Sequence, residues 1–261
     1  MPGAGNFFQN RADLSQFLVH LTKDGSYENW VPKTVPGGPP GYDIATYPAV
    51  RAKNSLIDIL NTRTILARSP FGYFKLKINR YRAQFNQVFV NGHADPNWLM
   101  SVCFSEAPLR ELRSFYQATI RKRNRYKKYG LAFWQEHVRA AGGNPIFYVD
   151  SRNTNLLNSL NTSLTNNNPA FIPMMHLCET FGPQIVNPSS MSDFRWEREW
   201  RKLNDYTFVW ENVAFGICPA EEITYFEALA QNQVIFIDPD WDEPTLRAYL
   251  QGKAPRLLSH L

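Results

Sequence analysis

The sequence predicts a single α+β domain. Three observations predict it. Short apolar runs of strand length, at residues 17–21, 102–105 and 213–217 among others, recur between turn signals. Runs with apolar residues at helical spacing lie between them, without a regular strand–helix–strand rhythm. No internal repeat and no linker-like stretch divides the 261 residues, and one large domain accommodates that length.

Taken in order, residues 17–21 read as a first strand with His20 inside it. Residues 30–48 carry five prolines, from Pro32 to Pro48, and three glycines, which predicts an irregular loop. Leu56, Ile57 and Leu60 set a helix over 50–61, and a short strand-like piece follows at 65–68. Residues 73–98 fit no element. Residues 102–105 read as a strand, and Pro108 opens a helix through Leu109, Leu112, Phe115 and Tyr116. A strand over 129–134 follows, with a helix over 135–141 stopped by Gly142 and Gly143. Residues 145–149 read as a strand, 151–168 as an amphipathic helix with its loop, 171–182 as a buried helix and 196–201 as a strand. Strands at 208–210, 213–217 and 234–237 close the chain, with a helix over 221–231 between the last two.

Composition narrows the function classes. Hydrophobic content of 44% allows a packed core, and no apolar run is long enough for a transmembrane helix. The first residues lack the pattern of a signal peptide, so a cytoplasmic protein with no membrane partner is expected. Cys103, Cys178 and Cys218 are odd in number, widely spaced and set in apolar surroundings, which argues for inert thiols. The histidines show no metal-ligand spacing, and the usual phosphate-loop and nucleophile-elbow motifs are absent. The net charge of +5 is uneven. The segment 110–139 holds Arg121, Arg123, Arg125, Lys127 and Lys128 with interleaved aromatics. Such a segment either meets a nucleic acid or is a solvated helix face.

The chemistry-bearing residues concentrate in Trp196-Glu197-Arg198-Glu199-Trp200-Arg201. In a strand, Glu197, Glu199 and Arg201 share one face, with the carboxylates about 7 Å apart. Two carboxylates beside a fixed cation suit a polar cleft, where they bind a hydroxyl, stabilise an oxocarbenium-like centre or take a proton. The plainer reading is an exposed strand with solvated charges. His20 is either a satisfied core histidine or a ligand contact, with Thr22 on the same strand face. Ser105 is either a helix N-cap or a cleft hydroxyl.

The order of these pieces carries a resemblance. The segments Val102-Cys-Phe-Ser-Glu-Ala-Pro-Leu, Tyr129-Gly-Leu-Ala-Phe and Glu197-Arg-Glu-Trp-Arg, with the His20 strand before them, resemble the AbiGi-like family of abortive phage-infection proteins. That family in turn resembles the ADP-ribosyltransferase superfamily. The resemblance implies a split β-sandwich spanning 1–261 as one domain, with helical and loop insertions at about 71–98 and 151–190. It implies NAD as substrate and transfer of ADP-ribose to a macromolecule in antiviral defence. It places His20 on the nicotinamide-side ribose, Ser105 as the middle residue, and Glu199 on the ribose hydroxyl and the oxocarbenium-like centre. Glu197 orients the acceptor, while Thr22, Tyr129 and Arg201 complete the NAD contacts. Phe104, Tyr129 and Tyr148 compete for the stacking aromatic. Members of the same family also serve as toxin–antitoxin components, so a non-catalytic regulator, with a protein partner, stands beside the enzyme, as does a plain NAD glycohydrolase. On the enzyme reading, Glu199→Gln lowers turnover and leaves stability nearly unchanged.

Overall fold

A computed structural model of the chain describes residues 15–33, 41–67, 69–70, 100–122, 126–165, 176–183, 189, 191–193 and 195–261. The expected insertion at 71–98 lies outside these residues. The fold is α+β, built on a large, mostly antiparallel sheet. The strands of that sheet are β1 (Phe17–Lys23), β5 (Ser69–Pro70), β6 (Met100–Glu106), β7 (Tyr126–Trp134), β8 (Asn144–Pro145), β12 (Glu199–Leu203), β14 (Val213–Ile217) and β15 (Phe236–Ile237). Their order is β15-β14-β7-β1-β6-β12-β8, with β5 also on β6. Only β14 and β15 run parallel.

Alternation along the strands gives the sheet two apolar faces. Leu18, Phe104, Leu131 and Phe133 face α1 (Ala52–Thr62) and α5 (Ile223–Leu229). Phe17, Val19, Ala132 and Phe215 face α2 (Leu112–Lys122) and α6 (Glu243–Lys253). The helix α1 starts where Asp24 accepts the Ala52 N–H at 2.7 Å, a cap supplied from the preceding strand connection rather than from Arg51. The helix α6, which periodicity did not announce, has a local signature: Asp242 caps it through the Thr245 N–H, with proline in its first turn. Between α2 and α6 in the chain come α3 (Gln135–Ala140) and α4 (Thr154–Thr165), close to the expected ranges.

Several expectations are corrected. The predicted loop over 30–48 is corrected at its two ends, where β2 (Gly25–Lys33) and β3 (Gly41–Val50) pair antiparallel; residues 34–40 lie outside the described residues. Pro32 and Pro48 are tolerated in these strands because each strand of a two-stranded sheet has an outer edge that donates to no ladder. The strand over 145–149 is divided at Ile146: β8 pairs with β12, while β9 (Phe147–Asp150) pairs in parallel with β10 (Cys178–Pro183). The strand β10, with β11 (Met191–Ser192) and β9, makes a small second sheet. It occupies part of the range read as a buried helix over 171–182, of which 171–175 lie outside the described residues; a short apolar run does not separate strand from helix. The strand read over 65–68 shrinks to β4 (Thr64–Ile65), paired with β13 (Tyr206–Thr207). The strand read at 208–210 gives way to a helical turn over Trp210–Asn212.

The feature that positions the site is a fork in the large sheet. Strand β1 stays paired with β7 from Phe17 to Lys23, and β6 stays paired with β12 from Ser101 to Ser105. Between β1 and β6 the ladder holds only Leu18↔Glu106 and Val19↔Ser105. At its other end the same edge of β6 meets β5, at Ser69↔Ser101 and Pro70↔Met100. The edge of β6 between these contacts is left open to a cleft.

Gly130 keeps one side of the fork in place. A Cβ there would lie 2.4 Å from the His20 carbonyl oxygen and 3.1 Å from Leu21 Cα, both backbone atoms. Gly130→Ala is expected to lose about 1–3 kcal/mol of stability through overpacking. Chemical denaturation of the variant checks this, and an unchanged midpoint would mean that β1 yields at no cost.

Candidate functional site

The cleft at the fork has a volume of about 650 Å³. Its β1 side presents His20, Thr22 and Lys23, backed by Ser55 and Asp58 of α1. Its β6 and β12 side presents Cys103, Ser105, Glu199 and Arg201, joined by Glu179 of β10 and by Glu197. Residues far apart in sequence therefore share one cavity because the two halves of the sheet diverge around it. Among the described residues the carboxylates Asp58, Glu179, Glu197 and Glu199 outnumber the cations Lys23 and Arg201. Such a lining attracts a positively charged ligand group.

His20 answers a backbone need created by the fork. Where β6 leaves β1, the Cys103 carbonyl has no strand partner on that side, and His20 Nδ1 lies 2.8 Å from it. A carbonyl only accepts, so Nδ1 carries the hydrogen of this bond. Thr22 also lines the cleft, but its hydroxyl reaches Ala52 O at 2.9 Å and Tyr129 O at 3.0 Å, tying α1 to β1 and β7. Its first role is therefore structural.

The hexapeptide is not one continuous strand. Arg195–Glu197 forms a helical turn, Arg198 has φ 43°, and β12 begins at Glu199. The left-handed residue reorients the chain between the two carboxylates, so the expected single face of Glu197, Glu199 and Arg201 holds only for the last two. Glu197 still lines the cleft, from the turn rather than from the strand.

Glu199 and Arg201 are two residues apart on one strand face and form a fork-to-fork pair. Arg201 Nε donates to Glu199 Oε1 at 2.8 Å, and Nη2 donates to Oε2 at 3.0 Å. Nη2 also donates to Glu179 Oε2 at 2.8 Å, and Nη1 donates to the carbonyls of His176 and Cys178 at 2.7 and 3.4 Å. The guanidinium is 1% exposed with every N–H accepted. Burial works against its charge, and the carboxylates, Glu199 foremost, outweigh burial and hold its pKa above the ordinary value. Burial first, and the charge of Glu199 next, push the Cys103 thiol well above its usual range, so it rests as the neutral thiol and reacts only through a small thiolate fraction.

Ser105 is paired across the ladder with Glu199 and lines the cleft. It does not cap a helix: the turn over Leu109–Glu111 has Pro108 at its N-cap and no side-chain cap. The neighbouring Glu106 is a structural carboxylate, accepting from Ser15 N at 3.1 Å and Trp200 Nε1 at 3.2 Å and pairing with Arg198 at 3.2 Å. Tyr129 is not part of the cleft lining. Its ring packs 5.8 Å from Phe226, and burial followed by Glu222 pushes its phenol up to about 12. Tyr148, one of the competing aromatics, is the one beside Glu199: its Oη accepts the Glu199 N–H at 3.3 Å.

Glu179, like Lys23, Ser55 and Asp58 on the opposite wall, is a cleft residue that sequence reasoning missed. It sits in the stretch read as a buried helix, and a lone glutamate there gives no signal of its own. The basic segment is only partly in view, since Arg123 and Arg125 lie outside the described residues. Lys127 pairs with Asp24 at 3.8 Å, and Lys128 pairs with Asp238 and Asp240 at 3.3 and 2.6 Å. Arg121 is exposed. Among the described residues no helix is long and apolar enough to cross a membrane, and no group of three or more metal-ligating side chains is gathered.

Comparison with family models, with curated proteins and with solved structures returns no match for this chain.

The buried fork makes unequal predictions for its members. Arg201→Met leaves the Glu199 and Glu179 carboxylates without their cation and is expected to destabilise by about 3–5 kcal/mol. Glu199→Gln keeps an acceptor and leaves Glu179 on the guanidinium, so about 1–3 kcal/mol is expected. The latter replaces the expectation of a nearly neutral substitution, because Glu199 is only 9% exposed and doubly bonded. Urea denaturation of the two variants checks the order, and equal losses would contradict it.

Proposed function

We propose that this chain is an ADP-ribosyltransferase-like protein of antiviral defence that cleaves NAD and passes ADP-ribose to a macromolecule. The observation that carries the reading is the fork between β1 and β6, with His20 on one lip and the Glu199–Arg201 pair on the other. A split sheet that grips NAD across its opening is what the sequence resemblance implies. The cavity volume of about 650 Å³ falls within the ordinary range for small-ligand sites. Its excess of carboxylates suits the cationic nicotinamide ring at the end of an otherwise anionic dinucleotide.

In this reading His20 Nε2 accepts from a ribose hydroxyl, with the ring fixed by its bond to Cys103 O. Glu199 accepts from the ribose with the lone pairs that Arg201 leaves unused, and its charge faces the anomeric carbon. The glycosidic C–N bond breaks, and its electron pair neutralises the nicotinamide ring as that ring leaves. The oxocarbenium-like centre is then attacked by a nucleophile whose proton passes to Glu197, which stands outside the strand at the cleft rim. Where water is the nucleophile, the reaction is NAD hydrolysis. A nucleic acid acceptor rests on the basic segment, with Arg121, Arg123 and Arg125 as its contacts, since Lys127 and Lys128 serve ion pairs within the chain.

A second reading is favoured by one observation. The Arg201 fork is a complete internal network, and a carboxylate held that way also serves a non-catalytic regulator whose fold it stabilises. Incubation with labelled NAD and cell extract separates the two. The enzyme reading predicts label in protein or nucleic acid, or free ADP-ribose, and a loss of roughly two or more orders of magnitude in turnover for Glu199→Gln, about 3 kcal/mol. A folded wild-type protein that consumes no NAD would favour the regulator.

A further inference from the structure

The small sheet holds Glu199 from two sides. In the parallel pairing of β9 with β10, Glu179 is in register with Tyr148. Tyr148 Oη accepts the Glu199 backbone N–H at 3.3 Å, fixing the start of β12. Glu179 Oε2 lies 2.8 Å from the Arg201 nitrogen that donates to Glu199 Oε2 at 3.0 Å. The residues just before and at the start of β10 take the Nη1 hydrogens of the same guanidinium, through His176 O and Cys178 O. The chain also crosses between the sheets here: Ile146 N donates to Glu199 O at 3.1 Å, and Phe147 N donates to Leu177 O at 2.6 Å.

We propose that Glu179 is a positioning residue of the cleft, acting on Glu199 through Arg201. The proposal rests on the reading of Glu199 as the carboxylate that faces the reacting ribose. Two carboxylates share one cation, so the charge of Arg201 is divided between them. Removing Glu179 leaves the full cation to Glu199, which draws that carboxylate onto the fork and away from the ligand. The effect on a developing positive charge is a weaker counter-charge in the transition state, with little change in ground-state binding. Glu179 touches no reacting atom in this account; it sets how far Arg201 neutralises the one that does.

The experiment is Glu179→Gln in the full chain, read two ways. The first readout is NAD cleavage, where kcat is expected to fall at least tenfold and KM to stay within about threefold. The second needs no turnover. Cys103 is opposite Arg201 in the ladder and is partly exposed, while Cys178 and Cys218 are buried. Its alkylation by iodoacetamide at pH 8 reports the charge balance of the cluster, with Cys103→Ser assigning the signal. With Glu179 gone, the less neutralised guanidinium stabilises the thiolate, and alkylation is expected to quicken at least threefold. Glu179→Asp, which keeps the charge on a shorter reach, should fall between variant and wild type in both readouts and serves if the glutamine variant does not fold. Rates of alkylation and turnover within twofold of wild type would overturn the proposal, as would faster alkylation with unchanged kcat. Faster alkylation in a protein that turns over no NAD would uphold the coupling of Glu179 to the cluster and remove the transferase reading instead.

Discussion

The architecture depends on one buried cation. Arg201 is among the largest fully buried side chains and is held by Glu199 on its own strand and by Glu179 and two carbonyls around β10. A lone guanidinium in that position would be strongly unfavourable, so its partners and its burial are interdependent. The pair on β12 keeps two carboxylate oxygens in a fixed plane at the cleft wall. The bond to Glu179 ties the small sheet to the large one at that point. The same cation thus sets the electrostatics of the cleft and joins the elements that form its wall.

The cleft exists because the sheet stops pairing. Strands β1 and β6 share a short ladder and then part, each still bonded to its outer neighbour. A parted edge leaves backbone groups in need of partners, and the bond between His20 and the Cys103 carbonyl meets one of them. The cost of opening the sheet is thereby reduced, and the residue that reduces it becomes a lip of the opening. Tight apposition on the far side, where Gly130 approaches the backbone of β1, keeps the first strand from following β6.

Much of this was legible in the sequence, and what was not has physical reasons. The strands at 17–21, 102–105, 129–134 and 213–217 announce themselves by apolar runs with bounding turns, and the first helix by Leu56 and Leu60. His20, Ser105, Glu197, Glu199 and Arg201 drew notice as polar groups in apolar or aromatic strands, and all of them line the cleft. The small sheet escaped notice because a break at Ile146 and a short run at 178–183 carry no period that distinguishes strand from helix. Glu179 escaped with it. The turn before β12 was hidden by the regular alternation of Trp and charged residues, which suits a strand until Arg198 takes a left-handed conformation. The paired strands β2 and β3 accommodate Pro32 and Pro48, which spoke for a loop, because both strands are edges.

The most direct test of the account is a crystal structure of the protein with a non-cleavable NAD analogue. The account predicts the nicotinamide-side ribose in the fork, with a hydroxyl within hydrogen-bonding distance of His20 and another at Glu199, and the Glu199–Arg201–Glu179 cluster intact behind it. An analogue bound outside the fork, or a cleft that stays empty at saturating analogue while the cluster remains intact, would contradict it and leave Glu199 as a structural carboxylate.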